Sequence, residues 1–294
     1  MAELNNKRRL GDRKEGRLLR SLAPFYTFIP FIMRTRNDAC NYFTDKIEVT
    51  EIDRYLRRKR TEGYKGMGML YLMIAAYIRV IAIKPGLNRF IAGQRIFARN
   101  NIEVVMAVKR GLAEDASETT IKVEFSPKDT IYDVYRKMNE KIDEIKADDG
   151  ENNTEQVAAA LCKLPRFLLR FALAIIKALD YYGLLPMSLL NASPFHGSMI
   201  ITDVASLGIP PIYHHLYNFG NLPVFVAFGA KRHALELDND GRPVDRKYID
   251  YTVVTDERIC DGYYYASAFK YMKYYLRNPE LLETPPEKVA EDVF

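Results

Sequence analysis

The densest cluster of ionisable groups in the chain is TDERICDG, residues 255–262. Asp256, Glu257 and Asp261 supply carboxylates there and Arg258 a guanidinium. The residues before the cluster alternate like a strand, Asp261-Gly262 makes a tight turn, and YYYASAFKYMKYY reads as a helix. A carboxylate held on such a turn is a legitimate general base. The same residues also read as a solvated strand end. Unpaired neighbouring carboxylates raise a glutamate's pKa and a nearby arginine lowers it. Asp256 and Asp261 therefore pull Glu257 one way and Arg258 the other.

Other reactive types give weaker signals. Cys40, Cys162 and Cys260 are far apart and odd in number, which argues against a disulfide framework and for a reducing compartment. No activating base accompanies Cys260, so it reads as a buried strand cysteine. His196, His214, His215 and His233 have no metal-ligand spacing, and no metal is expected. DNDG (238–241) resembles part of a calcium loop, but Lys247 stands near the place of the closing glutamate. A plain hairpin turn is the expectation.

These groups need a scaffold, and 294 residues at 48% hydrophobic suffice for one sizeable core. The pattern predicts partial helix over 22–36 and a strand over 40–53. A helix buried all round follows at 68–83 and stops at Pro85-Gly86. Strands follow at 94–99, 102–108 and 119–127, and Asp129 opens the next helix. ADDGENN (147–153) reads as a linker and TEQVAAALCKL as a helix, with Pro165 starting another. The last third predicts strands at 196–209, 222–237 and 248–258. A helix after Gly262 then ends at Asn278-Pro279, and the short tail packs on the surface. Hairpins interleaved with long helices argue for an α/β sandwich with helices layered on a mixed sheet.

Charge and hydropathy bound the partners. Residues 1–20 hold seven Lys/Arg against three Asp/Glu, a basic arm ahead of a single domain over 21–294. The arm reads as a solvated tail or subunit arm. It lacks the interleaved aromatics of a nucleic-acid binder, and a basic scaffold on nucleic acid or membrane would show strong salt dependence. LAPFYTFIPFIM (22–33) is broken by Pro24 and Pro30 and lacks a signal-peptide cleavage pattern. RFLLRFALAIIKALDYYGLL (166–185) is interrupted by Arg166, Arg170, Lys177 and Asp180. It reads as a buried amphipathic helix, not a membrane span. RYLRRKR (54–60) reads as a solvated helix face, with phosphate or an acidic partner as the alternative.

Three segments together resemble one family. KPGLNRFI (84–91) follows the buried helix, GSMIITDVASLGI (197–209) is similar to the family's Gly-Thr-Phe-Thr-Ile-Ser-Asn-Leu-Gly strand, and TDERICDG (255–262) is similar to its signature Asp-His-Arg-x-x-Asp-Gly. The family is the catalytic domain of the dihydrolipoamide acyltransferases, cores of 2-oxoacid dehydrogenase complexes, with which chloramphenicol acetyltransferase shares a fold. The likeness runs from about residue 30 to about 283. It implies a chloramphenicol acetyltransferase-like two-layer sandwich and a homotrimer whose sites lie between subunits. It also implies coenzyme A or acyl-CoA as substrate and direct acyl transfer from a thioester. By the same resemblance Thr202 takes the place of the hydroxyl that donates to the oxyanion. Asp261 takes the place of the aspartate that holds the loop, often through an arginine, for which Arg13 and Lys14 are candidates. Glu257 stands where the family keeps its catalytic histidine.

That replacement sets the chemical question. A thiol near 8.5 lies about two units above a histidine near 6.5 and about four above an ordinary glutamate. The extra gap of roughly two units costs about 3 kcal/mol of proton transfer, on the order of a hundredfold in rate. Burial can close the gap, or His214 or His215 can serve as a relocated base. The competing expectation is a catalytically silent relative, a trimeric scaffold that binds CoA or a protein. No Asp-Lys-Ala lipoyl turn is present, so a lipoyl carrier would act in trans. A cytoplasmic location is expected.

Overall fold

The computed structural model describes residues 9–109, 118–147 and 162–293. The helix expected over 154–164 and its linker lie mostly outside them. The described elements are β1 Gly16–Leu18, α1 Pro24–Ile32, β2 Cys40–Glu48, α2 Thr50–Thr61, α3 Met69–Ile83, β3 Arg89–Ala92, β4 Arg95–Arg99 and β5 Ile102–Lys109. They continue with β6 Glu118–Phe125, α4 Ile131–Ala147, α5 Arg166–Tyr181, α6 Met187–Ala192, β7 Met199–Asp203, β8 Val224–Leu237, β9 Pro243–Asp256 and α7 Gly262–Arg277.

A six-stranded sheet in the order β2-β9-β8-β7-β5-β6 forms one layer, and β1-β4-β3 forms a small second sheet. The large sheet is mixed: β7 runs parallel to β5 and β8, and the other neighbours are antiparallel. Strand alternation divides its side chains between two faces. Val104, Met106, Met199, Ile201, Val224, Val226 and Val253 join the main core with α3. Val105, Ile200, Phe225 and Val254 form a second cluster with Leu216 and Leu222. The helix α3 packs against α4 and α7, and Tyr71 through Ala82 are all buried. Its apolar residues all round reflect that placement.

Several elements depart from expectation. The strand over 40–53 ends at Glu48, and Thr50 begins a helix with Glu51 and Asp53 in its first turn, where acids favour the helix dipole. Asp129 does not cap α4. Thr130 and Asp133 form a reciprocal capping box, Thr130 N–H donating to Asp133 Oδ2 at 3.0 Å and Asp133 N–H to Thr130 Oγ1 at 3.3 Å. Asp129 instead accepts from Lys137 Nζ at 2.7 Å. The strand expected over 196–209 is confined to Met199–Asp203. The helix α5 is not buried: none of its residues is. The basic face at 54–60 is largely committed within the chain. Arg58 pairs with Glu280 at 3.0 Å, and the buried Lys59 with Glu62 at 2.7 Å and Glu283 at 3.0 Å.

Candidate functional site

The turn after β9 is held by a buried ionic cluster. The register Cys40↔Asp256 brings β2 to the end of β9, and with it Arg36, four residues before the start of β2. Asp256 is buried, and its carboxylate accepts from Arg258 Nε at 2.8 Å, Arg258 Nη2 at 2.7 Å and Arg258 N–H at 3.1 Å. Arg36 Nε lies 3.7 Å from Asp256 Oδ2, an ion-pair distance too long for a hydrogen bond. Arg36 also donates to the carbonyls of Tyr217 at 2.7 Å and Gly220 at 2.6 Å. Burial lowers the Arg36 pKa to about 10, against the pull of Asp256, so the guanidinium stays charged at neutral pH. Arg258 Nη1 reaches back to the Met33 carbonyl at 3.1 Å.

Glu257 is exposed on this fixed turn. Its backbone N–H donates to the Ala39 carbonyl at 2.8 Å, and its carboxylate has no hydrogen bond or ion pair among the described residues. Asp261 caps α7, accepting from Tyr264 N–H at 2.8 Å. Its other oxygen accepts from Tyr26 OH at 3.0 Å. The expected partners Arg13 and Lys14 are elsewhere: Arg13 binds Glu15 and Asp180, each at 2.6 Å, and Lys14 donates to the Leu185 carbonyl at 3.2 Å. A tyrosine from α1 thus takes the place expected for an arginine. Cys260 is buried in the turn, not in a strand, and burial pushes its thiol up to about 12. It is no nucleophile at neutral pH.

Thr202 lies on the sheet face opposite the helices. The segment 209–217 crosses that face, tied down by Thr252 Oγ1–H donating to the Ile212 carbonyl at 2.7 Å and Ala230 N–H to the Ile209 carbonyl at 2.9 Å. It carries His214, which stacks on Phe225 with ring centroids 4.0 Å apart and planes 8° from parallel. His214 Nε2 is 3.3 Å from Thr202 Oγ1, and the imidazole tautomer decides which atom donates. Partial burial, then the neighbouring His215, lowers the His214 pKa below 6.5, so the ring is neutral at pH 7. An Nε2–H tautomer donating to Thr202 leaves the threonine proton free for an oxyanion.

The structure joins Thr202 to His214 and Asp261 to the Glu257 turn, but within one chain it does not join the two pairs. Thr202 is level with Ala227, and Ala227 with Thr252. Glu257 is five residues further along and two strands across, about 16 Å away along the strand direction alone. Beside the turn, Arg34, Arg36, Lys177, Asp180, Gly220 and Arg258 border a cavity of about 220 Å³, which Glu257 does not line. Tyr26 and Arg36 were not singled out from the sequence. Both stand before β2, and only tertiary pairing links them to residues more than 200 positions later. Among the described residues no group of His, Cys, Asp and Glu is placed to hold a metal.

No protein-family model matches the chain, and no curated protein matches it in sequence. Solved structures match it in shape. A probable dihydrolipoamide acetyltransferase from Listeria monocytogenes is similar over 86% of this chain and 88% of its own, at 13% identity and a TM-score of 0.55. The cubic core of a pyruvate dehydrogenase multienzyme complex is similar over 87% of each chain, at 11% identity and a TM-score of 0.56. A truncated catalytic core of the 2-oxoacid dehydrogenase multienzyme complex from Thermoplasma acidophilum is similar over 90% of this chain and 99% of its own, at 13% identity and a TM-score of 0.52. At such identities the likeness speaks for architecture, and the chain has the fold of these acyltransferase cores.

Proposed function

We propose that this protein is an acyltransferase that moves an acyl group from a coenzyme A thioester to a thiol or hydroxyl acceptor. The proposed unit is a cytoplasmic homotrimer in which Glu257 of one subunit faces Thr202 and His214 of the next. The observation that carries the reading is the turn itself: a buried Asp256–Arg258–Arg36 cluster and the helix-capping Asp261 hold in place an exposed carboxylate, Glu257, which the sequence resemblance aligns with the family's histidine. In the proposed step Glu257 takes the acceptor's proton as its sulfur or oxygen bonds to the thioester carbonyl carbon. Thr202 donates to the resulting oxyanion, with His214 orienting the hydroxyl. Collapse breaks the carbon–sulfur bond, and the departing CoA thiolate recovers the proton from Glu257. A lipoyl carrier acting in trans fits as donor or acceptor.

The second reading is a CoA-binding or protein-interaction scaffold without chemistry. Its support is the exposure of Glu257 in a single chain, since a solvated glutamate is a weak base towards a thiol. Calorimetry with CoA and acetyl-CoA, with light scattering for the subunit count, tests binding and assembly. Acyl-transfer rates of wild type, Glu257→Gln and Thr202→Ala then separate the readings. The enzyme reading expects losses on the order of 100-fold for each variant. Micromolar binding with equal background rates for all three supports the scaffold, and no binding at millimolar ligand removes CoA from both.

A further inference from the structure

The helix α5 is the largest feature that this function leaves unused. Apolar residues dominate its sixteen positions, yet none is buried. Leu164, Leu168, Phe171, Ile175 and Tyr182 recur at three- and four-residue steps, broken only by the small Ala178, and are 37%, 41%, 65%, 43% and 74% exposed. Phe167, beside them, is 70% exposed. A helix turns by about 100° per residue, which places Arg166, Arg170 and Lys177 within about 40° of one another. All three are exposed, and none makes an ion pair or hydrogen bond among the described residues. The helix's one acid, Asp180, is bound by Arg13 at 2.6 Å and faces His196 at 3.3 Å. Leu169, Ala172, Ile176 and Leu179 are half-buried on the side toward the body.

Outward, therefore, α5 shows a wide apolar stripe flanked by a stripe of unpaired cations. We propose that α5 docks the protein on an anionic bilayer surface, lying in its plane. Phe167, Leu168, Phe171 and Ile175 would enter the acyl boundary while Arg166, Arg170 and Lys177 meet lipid phosphates. That division of faces is what an interfacial helix needs. Crossing the bilayer is excluded for it: sixteen residues span about 24 Å, short of the roughly 30 Å hydrocarbon core, and no described helix is long and apolar enough. A second copy packing α5 on α5 is the poorer occupant. Two α5 helices would bring cations to cations with no free acid on either, in a chain of net charge +5. A lipid surface supplies both the apolar depth and the negative charge.

Cys162 is exposed just before α5, while Cys40 is half-buried and Cys260 buried. An environment-sensitive fluorophore on Cys162, in a Cys40→Ser background, therefore reports on this helix in the full-length protein. The test titrates phosphatidylcholine vesicles with and without phosphatidylglycerol. The expected result is a blue shift with affinity on the order of 100-fold tighter for the anionic vesicles, from about fivefold for each of the three cations. Arg166→Glu with Arg170→Glu should remove that preference. Phe167→Ser with Phe171→Ser should remove the shift, and both pairs should leave the melting temperature unchanged because these side chains are exposed. Absence of binding, or equal binding to both vesicles, overturns the proposal. So does a blue shift without lipid that fades on dilution, which would assign the helix to a second copy.

Discussion

Replacing Asp256 by asparagine tests whether the turn is held by buried charge. The carboxylate is 1% exposed and takes three hydrogen bonds from Arg258 and the ion-pair contact of Arg36. The variant keeps the shape and an acceptor oxygen but leaves two buried guanidinium groups without their anion. Removing one member of a buried ion pair costs about 3–5 kcal/mol. The retained acceptor places Asp256→Asn near the lower end, about 3 kcal/mol, and Asp256→Ala near the upper. At about 2–4 °C per kcal/mol for a domain of roughly this size, Asp256→Asn should lower the melting temperature by about 10 °C. Urea unfolding at pH 7 should show a lower midpoint with an unchanged slope. Adding Arg258→Met to Asp256→Asn should cost less than the sum of the single changes by at least about 1 kcal/mol, because the two side chains share one interaction. A stability within about 0.5 kcal/mol of wild type for Asp256→Asn would refute the reasoning, since the cluster would then not hold the turn.

Lys122 is held by the Leu190 carbonyl at 2.6 Å, 3.7 Å from Glu103, and burial lowers its pKa to about 8. Its folded value lies below the unfolded value near 10.4, so the unfolded chain binds more protons in between and stability rises with pH there. Wild type should gain about 1–2 kcal/mol on Lys122→Met from pH 8 to pH 9.5 in parallel denaturant titrations, and parallel curves would contradict the assignment. Thr130→Ala opens the capping box of α4 and should cost about 1 kcal/mol by urea unfolding, with no change in CoA binding. In thiol titration with a disulfide reagent at pH 8, Cys162 should react within mixing while Cys260 waits for unfolding, given its exposure and a thiol pushed up to about 12.

The layered architecture was legible because its signals are local. The apolar runs of β7, β8 and β9 and of α3 follow from burial on both sheet faces and on all sides of a central helix. The turn at 255–262 was legible as a candidate because its polar residues are contiguous. Its support was not: Arg36 reaches Asp256 only through the β2–β9 register, which no short pattern encodes. His214 was visible as a candidate, but its contact with Thr202 depends on a coil laid over the sheet and pinned by Thr252. The helix α5 misled for a different reason. Apolar periodicity says that a face wants cover, and it is silent about whether this chain supplies that cover. Thr130 and Asp129 are adjacent residues that both can cap a helix, and the choice turned on Asp133 lying three residues after Thr130.

The way Glu257 is housed bears on what its identity means. Its main chain is fixed by the bond to Ala39, and the residues on either side hold the turn through their own side chains. The glutamate side chain itself touches no described partner, so the fold places little demand on it. Glu257→His should therefore change stability by less than about 0.5 kcal/mol, as exposed substitutions do. That neutrality makes the exchange a clean probe of chemistry. A faster transfer in Glu257→His at unchanged stability would mean that the geometry still suits an imidazole and that the glutamate is a weaker base in the same place. A slower one, with Glu257→Gln slower still, would mean that the assembled site is tuned to a carboxylate. A melting temperature lowered by several degrees would defeat the premise. It would show that the glutamate is gripped from outside its own chain, and a neighbouring subunit's cation would be the first place to look.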